Sequence, residues 1–550
     1  MNPSAMTPTP LSVLAEKLGL PAAAVVPWGR HVAKIEHEPP AGRLPGKMVL
    51  VTAMNPTPAG EGKTTVALGL AMALSRAGVR AVPVMRQPSI GPLFGVKGGG
   101  AGGGKAHLVP FNDVNLHLTG DFHAVSAAHN LLAALLDAHL FHGNALGLDV
   151  RDVTWPRVLD MNERALREVV IGLGGKTGGI PRESRFDITA ASEVMAILAL
   201  ARDVADLKAR LGRIVVGSTS GATPKPVSAA ELVAAGSMAV LLKDALLPNL
   251  VQTAEGTPAL CHTGPFGNIA HGSPSVRAMR LAASLDAVSV VEAGFGADLG
   301  AQKFLDLACP ASGLWPTAAV VVGTARAAKH HGGVAKDKLG DEDPAAVRRG
   351  LPNLIHHLEA MKRRGFPVVG VLNLRAGDPP ADVEAFLSGI REAGFDAILA
   401  DPYGAGGPGC SELAERVQGL ITREAGAPVH PYSMSDPFQT KLDGVVREAS
   451  GGLGATLSAG AAKALSRFEG WGFGGLAPCV ARTQYSLSDD ATALGRPTGF
   501  RVAVRELRLL AGAGFLVPVS GDIMTMPGLP KRPAAHDIDL DDAGRPIGVR

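Results

Sequence analysis

Residues Thr57–Thr65 read T-P-A-G-E-G-K-T-T, between an apolar strand-like run at Met48–Met54 and a helix-like run at Thr64–Ala77 that stops at Gly78. Strand, glycine loop and helix in this order make a phosphate cradle. Successive backbone N–H groups and a helix N-terminus present partial positive charge, and glycines let the backbone approach an anion. The nucleotide-binding set is therefore Thr57, Pro58, Ala59, Gly60, Glu61, Gly62, Lys63 and Thr64. Lys63 is placed to reach the β- and γ-phosphates of ATP, and the Thr64 hydroxyl to ligate Mg²⁺. Thr57 stands where the usual pattern has glycine; a tight βα turn with a solvated lysine is the competing reading, and the flanking strand and helix argue against it.

A second strand-like run, Val79–Met85, ends at Arg86-Gln87-Pro88-Ser89. In a parallel sheet its carboxyl end opens on the same edge as the phosphate loop, where ligands bind. Arg86 then meets a terminal phosphate or the acceptor beside it, with a planar fork suited to phosphate or carboxylate oxygens. The run Gly98–Gly104, six glycines and one alanine, reads as a loop that is mobile or packed closely on a ligand. Lys97 and Lys105 flank it, and Asp121 follows in T-G-D-F-H.

These groups need a scaffold, and further strand-like runs supply one at Arg213–Gly217, Met238–Leu242, Ala287–Val291, Ala318–Gly323, Val368–Leu372 and Ala397–Ala400. Their alternation with helix-like segments predicts an α/β fold, a P-loop NTPase-like doubly wound sheet with a second α/β domain and a smaller C-terminal domain. The expected divisions are 1–352, carrying the nucleotide loop, 353–445, and 446–550. The last begins with a Gly/Ala/Ser-rich stretch at Ser450–Lys463 and runs through G-W-G-F-G-G, without visible helical periodicity, to a strand at Phe500–Val504.

A chain of 550 residues can bury several cores, and 46% hydrophobic with 19% charged residues is ordinary for a globular protein. A net charge of +3, with no basic stripe interleaved with aromatics, argues against nucleic acid. No leader is visible at Met1–Leu20 and no apolar run approaches the length needed to span a bilayer, so no membrane association and a cytoplasmic location are expected. Cys261, Cys309, Cys410 and Cys479 are scattered without metal-finger spacing, which predicts buried thiols. His129, His139 and His142 share a helix-like stretch at spacings that make no convincing ligand pair.

Read together, the phosphate loop, V-M-R-Q-P-S-I-G-P, the glycine run and L-H-L-T-G-D-F-H resemble the formate–tetrahydrofolate ligase family. The resemblance continues through F-D-I-T-A-A-S-E-V-M-A at Phe186–Ala196, L-V-Q-T-A-E-G-T-P-A-L at Leu250–Leu260 and G-P-F-G-N-I-A-H-G at Gly264–Gly272. It extends to E-A-G-F-G-A-D-L-G-A at Glu292–Ala301, T-Q-Y-S-L-S-D-D at Thr483–Asp490 and G-D-I-M-T-M-P-G-L-P at Gly521–Pro530.

The resemblance implies a homotetrameric ligase of one-carbon metabolism that joins formate to tetrahydrofolate, polyglutamylated or not, through formyl phosphate. Lys63 and Arg86 would be catalytic, Arg86 holding formate and then formyl phosphate. Asn373, Arg375 and Tyr403 would line the folate pocket, with Tyr403 where the family has tryptophan and Arg375 where it has phenylalanine. Gln87 replaces a glutamate that works with the aspartate matching Asp121 at a K⁺ or NH₄⁺ site, and Lys105 replaces a tyrosine. Two other functions fit the loop: a ligase for another carboxylate or a modified pterin, and a nucleotide-gated scaffold or metal-delivery ATPase, against which the missing C-x-x-C argues.

Overall fold

The computed structural model describes residues 8–40, 42, 44–57, 60–95, 98–422 and 428–549; Pro58, Ala59 and Lys97 lie outside them. Strands that must be covered on both faces read as continuous apolar runs. The core strands are β1 (Lys47–Ala53), β2 (Ala81–Met85), β3 (Asn249–Thr253), β4 (Pro258–Cys261), β5 (Val288–Glu292), β6 (Ala318–Gly323), β7 (Val368–Asn373) and β8 (Ala397–Ala400), and all but β3, which reads N-L-V-Q-T, are mainly apolar. They lie side by side in the order β3-β4-β2-β5-β1-β6-β7-β8 within one 12-stranded sheet. From β4 to β8 every neighbouring pair is parallel, and β3 joins β4 antiparallel. The sheet is thus mixed, with a parallel centre.

Alternation along the strands assigns two layers. Met48 and Leu50 of β1, Val82 and Val84 of β2 and Val321 of β6 face one core, shared with α2 (Asp121–Phe141), α3 (Ala235–Leu242) and α4 (Pro344–Arg363). Val49 and Val51, Val290, and Val320 and Val322 face the other, shared with α1 (Lys63–Arg76) through Val66, Leu70 and Leu74. By length and composition α2, 21 residues at hydropathy 1.3, meets the requirement for a bilayer span, contrary to the expectation that no run would; its face carrying Val125, Leu132 and Leu136 packs into the first core, with 39% of the span buried.

Two expectations change. Met238–Leu242 belongs to helix α3, not a strand: Met238, Ala239 and Leu242 are the buried positions, a helical face, and a five-residue apolar run does not distinguish the two periods. The Gly/Ala-rich stretch contains helix α5 (Ala459–Gly470), whose start is fixed by the Ser458 hydroxyl accepting from Ala461 N at 3.1 Å. Position 352/353 lies within α4, and β6 and β7 on either side of it are paired. A third core built from Phe438, Leu442, Val446, Val480, Val502 and Val504 organises the C-terminal part.

Candidate functional site

The carboxyl ends of β1, β2, β5, β6 and β7 share one edge, and the predicted loop emerges from β1 there. Gly60 and Gly62 adopt φ of +76° and +71°, a region that costs other residues strain. Gly62 caps α1, so the positive end of the helix faces the loop. Glu61 braces the loop from within: its carboxylate accepts from Thr57 N at 2.7 Å and Thr57 Oγ1 at 3.1 Å, and from the Thr324 hydroxyl just beyond β6. Thr57, out of place by motif, is thereby accounted for, since its hydroxyl holds Glu61.

From the end of β7, Asn373 Nδ2 donates to the Glu61 carbonyl at 3.0 Å and the Arg375 guanidinium donates to the Gly60 carbonyl. A Cβ at Gly62 would collide with Asn373 Nδ2, so only glycine allows this approach. Asn373 and Arg375, expected in the folate pocket, are in direct contact with the phosphate loop.

Glu292, at the end of β5, is the residue sequence reading missed. One carboxylate oxygen accepts from Thr64 Oγ1 at 2.6 Å, and the other stands 3.5 Å from the Arg86 guanidinium. A hydroxyl and a carboxylate so paired are hard oxygen donors of the kind Mg²⁺ takes. Arg86 also donates to the Pro265 carbonyl at 3.2 Å, and an added Cβ at Gly294 would lie 3.1 Å from its Nη2. Behind it, Gln87, Thr263, His271 and Ser273 are buried with side-chain polar atoms that have no hydrogen-bond partner among the described residues. Burial, then the positive charge of Lys303 and Arg86, lowers His271 to a pKa of about 3, leaving a neutral imidazole. These groups make a buried polar cluster next to Arg86 with unused hydrogen-bonding capacity.

Tyr403 is 61% exposed and stands on the glycine run: a Cβ at Gly103 would lie 3.3 Å from its ring, and Lys105 N donates to its carbonyl at 2.9 Å. The run is therefore close-packed at this point, with Gly102–Gly103 paired to Ala106–His107. Pro402 and the Cys410 thiol sit against Gly69 of α1, which ties the Tyr403 segment to the helix of the phosphate loop.

Asp121 and Gln87 do not fit a monovalent-cation pair. One Asp121 oxygen accepts from buried Lys34 Nζ at 2.6 Å and the other from Asn249 Nδ2 at 2.8 Å, so its charge is already matched by an ammonium group, while Gln87 brings none. The histidines noted on α2 have structural partners. His129 stacks on Trp155 with ring centres 4.0 Å apart, and His139 Nε2 accepts from Leu146 N. All four cysteines are buried free thiols.

Glu292 and Thr324 are hard to find by motif because each is distant in sequence from the loop it serves; the signals were a carboxylate and a hydroxyl at the carboxyl ends of predicted strands and, for Glu292, its place at the head of the block Glu292–Ala301. A family model described as formate–tetrahydrofolate ligase matches residues 3–550. Proteins named formate–tetrahydrofolate ligase from Symbiobacterium thermophilum and Paracoccus denitrificans are each 52% identical to this chain, covering 98% of it and 97% of their own length. One from Methylobacterium nodulans is 51% identical, covering 99% and 98%. A phosphate loop alone is common to many folds, but similarity at this level from end to end is not, and the chain belongs to the formate–tetrahydrofolate ligase family.

Proposed function

We propose that this protein ligates formate to tetrahydrofolate at the expense of ATP, giving 10-formyltetrahydrofolate, ADP and phosphate. Formate is a poor acyl donor because its leaving group is oxide or hydroxide. A formate oxygen attacks the γ-phosphorus and the bond to ADP breaks, giving formyl phosphate. The folate amine nitrogen then attacks the formyl carbon, phosphate leaves with the formate oxygen, and the nitrogen loses its proton.

Positioning and charge neutralisation supply most of the catalysis in such transfers. The loop N–H groups and Lys63 hold the nucleotide phosphates in the P-loop manner. Mg²⁺, when bound, neutralises phosphate charge, and Thr64 with Glu292 would hold it. Arg86 binds formate and then formyl phosphate, and Tyr403 offers its exposed ring to the pterin. The observation that carries this reading is the Glu292 carboxylate bonded to Thr64 and adjacent to Arg86, because it makes the nucleotide-holding and anion-holding groups one cluster.

The monovalent cation implied by the family has no charged partner at Gln87 and a matched one at Asp121, so turnover should respond weakly to K⁺ or NH₄⁺. A cytoplasmic homotetramer is the assembly we expect. The test is phosphate release from ATP with formate and tetrahydrofolate omitted singly, together with absorbance of the acid-converted methenyl product. Dependence on both substrates supports the ligase; hydrolysis indifferent to both replaces it with a nucleotide-gated ATPase.

A further inference from the structure

Two carbonyls of the phosphate loop are turned away from the cradle and captured by residues leaving β7. Asn373 takes that of Glu61 at 3.0 Å, and Arg375 takes that of Gly60. A trans peptide unit is planar, with its C=O and N–H pointing in opposite directions. Holding the Gly60 carbonyl outward therefore aims the Glu61 N–H inward, and holding the Glu61 carbonyl outward does the same for the Gly62 N–H. Inward-facing N–H groups are what make such a loop bind phosphate. Glycines leave this orientation weakly determined by local preference, since Gly60 and Gly62 populate many conformations. Side chains leaving β7 add to what Glu61 and Thr57 fix from within the loop.

Arg375 is itself fixed. Its backbone N donates to Asp378 Oδ2 at 3.0 Å, and Asp378 N donates to the Arg375 carbonyl at 3.0 Å. Asp378 in turn lies 3.7 Å from the Arg326 guanidinium on the neighbouring segment. The guanidinium thus projects from a closed turn rather than from a free loop, and it is half-buried against the cradle.

We propose that Arg375 is a positioning residue for the nucleotide phosphates: its guanidinium holds the Gly60 carbonyl and so aims the Glu61 N–H at the anion. The residue that stands at the aromatic position of the family pattern has, in this chain, a function toward ATP. The inference rests on the phosphate-cradle part of the proposed function and not on the identity of the acceptor substrates.

The experiment measures the affinity of Mg²⁺ and a non-hydrolysable ATP analogue, and separately of adenosine, by calorimetry without formate or folate. Wild type, R375K, R375Q and R375F are compared. A hydrogen bond from a charged donor is among the stronger ones, and at a half-buried position its loss should weaken analogue binding about tenfold in R375F. R375K, which keeps a cationic donor, should recover most of the loss, and R375Q part of it. Adenosine has no phosphate for the loop to meet, so its affinity should stay within twofold across the series, which a general loosening of the fold would not allow. In turnover, R375F should raise the KM for ATP while kcat at saturating ATP and the KM for formate hold.

R375F within twofold of wild type for the analogue overturns the proposal. So does a loss confined to tetrahydrofolate binding, which would return Arg375 to the pterin pocket. If the wild type binds the analogue but makes no formyl product, the ligase reading fails while the calorimetric series still decides the question for Arg375.

Discussion

Substituting alanine at Gly62 and, separately, at Gly60 separates two contributions to the phosphate loop. Both residues sit at positive φ, +71° and +76°, where alanine costs about 1–2 kcal/mol. At Gly60 the new methyl group meets nothing within 4 Å among the described residues, so strain is the whole cost. At Gly62 it displaces Asn373 Nδ2, and the bond to the Glu61 carbonyl goes with it, about 1 kcal/mol more. In the free protein either loop relaxes out of the cradle shape, and the cost returns when phosphate binding restores that shape. At about 1.4 kcal/mol per factor of ten, G60A should weaken Mg²⁺–nucleotide binding about tenfold and G62A about fivefold beyond that. Calorimetry with a non-hydrolysable analogue reads both. G62A binding within twofold of wild type, or G60A proving the more damaging, would refute the bracing of the loop by Asn373.

Other expectations concern the opposite wall and the core. R86A should lower turnover by about 10³-fold or more, as removal of an arginine that stabilises phosphoryl transfer does, with ATP affinity changed less than threefold; near-normal turnover would sink its role. In E292Q the Thr64 hydroxyl keeps an acceptor but the cluster loses its charge, so the Mg²⁺ needed for half-maximal nucleotide binding should rise about tenfold, with no change in EDTA; an unaltered Mg²⁺ titration would exclude Glu292 from that site. Burial holds His129, His262 and His331 at pKa values of about 4 and His271 at about 3. Below their ordinary value of 6.5 the unfolded chain takes up protons that the fold refuses, so stability falls as pH drops from 6.5 toward 4. Glu193, pushed up to about 7 by burial, acts in the opposite sense over part of that window, and four histidines outweigh it. The apparent melting midpoint should fall by several degrees between pH 7 and pH 5; a flat or rising profile would contradict this.

What was legible in the chain was whatever one segment encodes by itself. The β1–loop–α1 unit and the strands ending at Met85, Gly323 and Ala400 stand where apolar runs and glycine punctuation put them. Met238–Leu242 misled because five apolar residues fit either period, and α5 because alanine and glycine carry little amphipathic pattern. The site divided along the same line. The loop, Thr64 and Arg86 are local signals at strand ends, whereas Glu292, Thr324 and the reach of Asn373 and Arg375 depend on which strands neighbour β1, and that follows from tertiary packing. Family resemblance singled out Arg375 as a departure from the aromatic pattern and gave no hint that its side chain bonds to Gly60.

The most direct test of formate activation is an isotope-transfer measurement. With [¹⁸O]formate, ATP, Mg²⁺ and tetrahydrofolate, passage through formyl phosphate requires that one formate oxygen leave with the phosphate. One ¹⁸O is expected in the phosphate released for each formyl group transferred. Phosphate free of label, with product still formed, would contradict it.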